Sequence, residues 1–210
     1  MIKNIILDYG HGGLDARGRY TTAGKSFTHP NGLVANEGVI NRQIGGLVEM
    51  FLNWHKPGLN IISTVDPFDG RDLSLSWRVR VANQFNPRET IFISFHSNAS
   101  VSHLGRGFEI FTSRGETKSD RLATIIGTKV REFYNKVNLR LRFDFASDGD
   151  LDKEVDFYVL KRTRCPAVLL ECLFFDNKDD IKFLVDPAFH KEMAWHVYLA
   201  IMQFVEEEAR

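Results

Sequence analysis

Ile5–Asp8, Asn60–Ser63, Thr90–Phe95, Gly107–Thr112, Phe157–Leu160 and Ala167–Glu171 are short runs rich in apolar, β-branched or aromatic residues, and amphipathic stretches separate most of them. Runs this short suit strands, whereas apolar residues recurring every three or four positions suit helices. The alternation predicts an α/β fold: a mostly parallel open sheet of about six strands with helices on both faces.

The helical stretches have readable ends. Asn36 is an N-cap candidate with Glu37 after it, and Val39, Ile40, Ile44, Leu47, Val48, Phe51 and Leu52 follow at helical spacing. That helix should stop before Pro57-Gly58. Ser74 is placed to cap a helix carrying Trp77, Val81 and Phe85, and further helices are expected over 118–134 and 187–207. The 210 residues contain no internal repeat, low-complexity tract or linker, so residues 1–210 read as a single catalytic domain. The charge-dense segment 138–156 reads as a long loop. Asp148, Asp150 and Asp152 there imitate the start of a calcium loop, but Lys153 and Val159 stand where Gly and Glu are needed.

Composition excludes several function classes. The 27 Lys and Arg balance the 27 Asp and Glu, which leaves no basic excess for a nucleic-acid partner. No apolar run approaches the ~20 residues of a membrane span. Met1–Asn4 leads straight into the first strand without the apolar core of a signal peptide, so synthesis in the cytoplasm is expected. Cys165 and Cys172 lie along one extended run, roughly 20 Å apart and beyond disulfide reach. Both read as buried free thiols.

Two glycine-rich segments resemble phosphate-binding loops and fail. Gly10-His11-Gly12-Gly13 lacks the third glycine of a dinucleotide fingerprint, since Asp15 occupies it. Gly24-Lys25-Ser26 lacks the first glycine of a P-loop, since Arg19 occupies it. His11 and His96 are more informative. Each sits at the carboxyl end of an expected strand, the edge where open α/β sheets bind ligands. Glu37 and Glu171 are the carboxylates able to join them. Glu171 follows the run Ala167–Leu170, and a carboxylate there needs a partner or a cation to offset its desolvation. Two histidines and one carboxylate would leave a zinc ion an open position, and a further carboxylate would serve as general base. Spacing alone does not decide this, since His11, Glu37 and His96 form no local ligand motif.

The sequence also resembles a known family. Leu7–Gly13, reading Leu-Asp-Tyr-Gly-His-Gly-Gly, is similar to the opening Leu-Asp-x-Gly-His-Gly-Gly of the zinc-dependent N-acetylmuramoyl-L-alanine amidases. Asn36-Glu37 resembles the point where the family's zinc-binding Glu opens a helix. Leu73-Ser74-Leu75 with Arg78-Val79 and Ala82-Asn83 resembles its Leu-Ser-Leu helix, and Phe92–Ala99 its Ile-Ser-Ile-His-Ala-Asn strand. Gly107–Phe111, Asp156–Leu160 and Cys165–Glu171 match later segments in the same order. Carried across by position, the resemblance implies Zn2+ on His11, Glu37 and His96, with Glu171 as the catalytic residue.

It further implies hydrolysis of the amide joining the lactyl group of N-acetylmuramic acid to L-alanine, with peptidoglycan as partner. Glu171 would take a proton from a zinc-activated water and return it to the alanine nitrogen. No partner protein is evident. A wall substrate combined with cytoplasmic synthesis implies release by a separate pore-forming protein, as for a phage lysin, or secretion by another system. Rival readings are another zinc amide hydrolase, such as a carboxypeptidase, and a catalytically silent peptidoglycan-binding module.

Departures from the family are Tyr9 for a frequent Pro, Gly38 for a Lys and Leu173 for a Gly; the last bears on substrate fit. Ser100–Arg106 is too short for the autoinhibitory helix some members carry after the histidine. The loops 14–36 and 138–156 are candidate groove walls, with Arg140, Arg142 or Lys153 placed to meet stem-peptide carboxylates.

Overall fold

A computed structural model describes residues 1–56, 58–145 and 149–210. The expectations at Pro57 and Asp148 therefore lie outside the described residues. Six strands form the main sheet: β1 (Asn4–Tyr9), β4 (Asn60–Ser63), β5 (Thr90–Asn98), β6 (Glu109–Thr112), β7 (Lys153–Glu154) and β8 (Ala167–Phe174). Their spatial order is β4-β1-β5-β8-β6-β7. The pairs β1–β4, β1–β5 and β5–β8 are parallel, while β6 runs antiparallel to β8. The mostly parallel α/β sheet expected from the sequence is thus present.

Side-chain parity along the strands builds two cores. Ile5, Leu7, Ile91, Ile93, Phe95, Val168 and Leu170 face one way. They meet three long helices, α1 (Glu37–His55), α3 (Lys118–Lys136) and α6 (Pro187–Glu207). Ile6, Phe92, Ala167 and Leu169 face the other way, against Val79 and Ala82 of α2 (Leu75–Ala82) and Val159 and Leu160 of α4 (Tyr158–Arg162). Strand period two forces this division, and it places helices on both faces as expected. One further short helix, α5 (Ile181–Leu184), precedes α6.

Two expectations are corrected. The segment Phe157–Leu160 is not a strand but the start of α4. Val159 and Leu160 are adjacent and both buried, which a half-buried strand cannot provide but a helix lying on the second core can. The strand instead comes from the charged segment: Lys153 and Glu154 pair with Phe111 and Thr112. Segment 138–156 is therefore not all loop, and Leu141 also bridges Phe108. Segment 14–36 likewise contains a hairpin, β2 (Ser26–Thr28) with β3 (Val34–Asn36).

Helix ends mostly follow their sequence signals. Ser74 Oγ accepts from Trp77 N at 3.2 Å. Asn36 occupies the N-cap position of α1 without a side-chain bond. The first amides of α1 are met from the preceding segment instead: Glu37 N donates to Lys25 O (3.0 Å) and Gly38 N to Tyr20 Oη (2.9 Å). Both cysteines are buried and free.

Asp152, buried just before β7, accepts from Thr112 Oγ1 at 2.5 Å, with Asp120 and Asp150 close by. Burial, reinforced by the charges of Asp150 and Asp120, pushes its carboxyl up to about 7 from 3.8. The folded chain then keeps a proton that the unfolded chain has released, so stability falls as pH rises through that window. Asp152→Asn is expected to gain stability over the parent between about pH 4 and 7, with a flat difference above it. Thermal unfolding across pH checks this, and a difference independent of pH would contradict it.

Candidate metal centre

The site lies at the carboxyl ends of β1, β5 and β8. His11 follows β1 in a turn where its own backbone adopts φ 64°, a region that costs energy for a residue with a side chain. Two buried arginines hold that turn. Arg42 Nη1 donates to His11 O at 2.9 Å and to Gly38 O at 3.0 Å. Arg78 donates to Tyr9 O at 2.6 Å and to His11 O at 3.2 Å. Arg78 is in turn fixed by Asp8, 2.7 Å away, and Asp8 also accepts from Thr64 (2.5 Å) and Ser94 (2.6 Å). Burial alone would raise the Asp8 carboxyl, but the Arg78 charge and these hydrogen bonds hold it below the usual range.

Two glycines allow the elements to close on one another. A Cβ on Gly10 would overlap the His96 ring, and one on Gly38 would overlap the carbonyl oxygen of Gly12. Gly38, a departure from the family pattern, is thus required by the close approach of α1 to the His11 turn. Tyr9, another departure, is buried and donates to Glu49. Leu173, the third, is fully buried in the core under the long helices, so the expected effect on substrate fit has no direct contact to act through.

The three expected ligands converge. His11 Nε2 and His96 Nδ1 lie 3.1 and 3.0 Å from the same oxygen, Glu37 Oε1. Their rings meet edge to face with centroids 4.9 Å apart. One ligand atom from each of the three residues lies within 4.8 Å of the others. Glu171 Oε2 is buried without a hydrogen bond, and Glu37 Oε2 has only the Lys25 ammonium, 3.2 Å away. Such atoms are costly unless a proton or cation meets them. Burial holds His11 below the usual histidine range, keeping a neutral imidazole with a lone pair to give. Burial would raise Glu37, but the hydrogen bonds from His11 and His96 reverse this and keep it ionised. A donor set of two imidazoles and one carboxylate fits a zinc ion.

Glu171 sits beside this group. It pairs in register with His96 on one side and with Glu109 on the other. Burial and the Glu37 charge push its carboxyl well above the usual range. A cleft of about 400 Å³ lined by His11, His96, Asp72, Ser74, Arg78 and Val159 opens onto the two histidines. A larger groove, about 720 Å³, runs between α1 and residues 66–70 and holds none of the four site residues.

The structure adds residues that the sequence did not single out. Lys25, dismissed there with a false phosphate loop, places Nζ 3.2 Å from Glu37 Oε2. Asp8 and Arg78 carried no expected role, and neither did Glu109. Arg142 and Lys153 both pair with Glu109, while Arg140 is exposed outside that cluster. Among the other histidines, His29, His103, His190 and His196 take ordinary hydrogen bonds to Phe175 O, Asp176, Leu184 O and Glu192 O.

A family model described as Amidase_3, N-acetylmuramoyl-L-alanine amidase, matches residues 5–203. The chain belongs to that family. It is 28% identical over 92% of its length to the endolysin of Bacillus phage SPP1, covering 63% of that protein. It is 29% identical over 92% of its length to the N-acetylmuramoyl-L-alanine amidase CwlM of Bacillus licheniformis, covering 65% of it. The chain thus spans under two thirds of these curated relatives. The crystal structure of an N-acetylmuramoyl-L-alanine amidase from Clostridium difficile 630 superposes with a TM-score of 0.76 over 98% of this chain and 97% of that one, at 20% identity. That likeness establishes the shared fold.

Proposed function

We propose that this chain is a zinc-dependent N-acetylmuramoyl-L-alanine amidase acting on peptidoglycan, with His11, Glu37 and His96 holding the metal and Glu171 as catalytic base. The observation that carries this reading is the meeting of His11 Nε2 and His96 Nδ1 at one Glu37 oxygen, 3.1 and 3.0 Å away, with Glu171 next in register. When bound, zinc supplies a Lewis acid that polarises the scissile carbonyl and brings the pKa of water toward ~7.

The remaining work falls to the chain's own side chains. Glu171 accepts the proton of the attacking water and passes it to the alanine nitrogen as the C–N bond breaks. Asp8, Arg78 and Arg42 hold the His11 turn, and Lys25 faces Glu37 from the open side. Likeness to a phage endolysin supports action on the wall after release from the cell by another system. Among the described residues no helix is long and apolar enough to cross a membrane. We further propose that residues 1–210 form one catalytic domain.

Digestion of purified peptidoglycan tests the bond cut. The expected products are intact stem peptides with a free L-alanine amine and unbroken glycan strands. New reducing ends or shortened peptides in the mass spectrum would replace this reading with another hydrolase. No release, with the peptidoglycan bound, would favour a silent binding module.

A further inference from the structure

Strand register sets His96, Glu171 and Glu109 side by side on β5, β8 and β6. Directly opposed residues share a sheet face, and each strand adds about 4.8 Å. Glu109 therefore lies one strand beyond Glu171, on the side away from the metal ligands.

A second carboxylate next to the base is adverse unless its charge is met, and here it is met twice. Arg142 Nε (2.8 Å) and Lys153 Nζ (2.5 Å) converge on Glu109 Oε1, while Oε2 accepts from Asn98 Nδ2. Burial would raise the Glu109 carboxyl, but these cations outweigh it and keep Glu109 ionised. One cation would neutralise one carboxylate. Two cations on one carboxylate give this triad a formal charge of +1, with the Glu171 carboxyl as its neighbour.

Both cations remain reachable. Their side chains keep 32% and 27% of their exposure. The Arg142 guanidinium lies 5.4 Å from the centre of the Phe174 ring, which steadies it. Among the described residues its Nη1 and Nη2 make no hydrogen bond, and a guanidinium fork is the geometry that pairs with carboxylates.

We propose that Arg142 and Lys153, templated by Glu109, form a carboxylate-binding subsite that takes an anionic group of the stem peptide within the first residues beyond the scissile amide. The inference rests on the amidase reading above. The glycan strand is uncharged sugar, whereas the stem peptide carries free carboxylates, so the charge excess selects the peptide side. It also makes the row directional: metal ligands at one end, base in the middle, carboxylate clamp at the other.

The test uses two soluble muropeptides that differ only in whether the α-carboxylate of the second stem residue is free or amidated. The zinc-loaded parent is expected to prefer the free acid about tenfold in kcat/KM, carried mainly by KM. Added salt should shrink the preference. Arg142→Gln and Lys153→Met should each bring the acid-to-amide ratio toward one. A purely structural triad would lower both rates alike and leave the ratio unchanged, and that result, or equal rates in the parent, overturns the subsite. Calorimetry with the free and amidated stem peptides provides a separate arm. Cleavage of neither muropeptide counts against the amidase reading, and equal peptide affinities then overturn the subsite independently.

Discussion

Glu171→Gln is expected to lower turnover on peptidoglycan by roughly 10²–10⁴-fold, the usual range for a lost general acid–base. The amide keeps the volume of the carboxylate and one acceptor oxygen but cannot carry the proton between water and the alanine nitrogen. Glu171 Oε2 is buried without a hydrogen bond, so little of the local packing depends on its charge. The fold should survive, and thermal unfolding should shift little or upward, because an ionised carboxylate in that setting is a liability. Wall-lysis rate and unfolding measured on one preparation check both halves. Near-parental turnover would remove Glu171 from the mechanism.

The second large effect concerns stability. Arg78→Met is expected to cost about 3–5 kcal/mol, the range for stranding one partner of a buried ion pair. Asp8, 0% exposed, would lose its cation, and the carbonyls of Tyr9 and His11 would lose a donor. For a domain of this size the loss corresponds to a fall of roughly 10 °C in Tm. The double variant Asp8→Asn with Arg78→Met should recover part of the loss, since the buried charge goes with its partner. Additive effects in that cycle would show that the two side chains act independently.

The sheet was legible, and with it the meeting of His11, His96 and Glu171 at one edge, because strand signals are local. Apolar runs ending in His11, His96 and Glu171 mark strand ends, and strand ends in a parallel sheet share an edge. Residues that work through distant partners gave no such signal. Arg78 meets Asp8 across 70 positions, and Lys25 meets Glu37 because the β2–β3 hairpin sets the two opposite one another. Nothing in its own strand marks Glu109; only the β6–β8 register brings it beside Glu171.

The errors have the same origin. Phe157–Leu160 has strand-like composition, yet its burial pattern is set by α2 and β8, which no local window contains. Strand β7 is two charged residues whose pairing comes from β6 rather than from their own propensity. Short edge strands are commonly charged, and that composition conceals them in a loop-like sequence.

Zinc stoichiometry across the parent and three variants tests the central claim most directly. The parent and Glu171→Gln are expected to carry about one zinc ion per chain after purification and dialysis, and His11→Ala and Glu37→Ala far less, since catalytic zinc needs about three protein ligands. Metal analysis on folded, monodisperse protein reads this without reference to activity. Loss of zinc from Glu171→Gln with retention in Glu37→Ala would contradict the account by exchanging the roles of the two carboxylates.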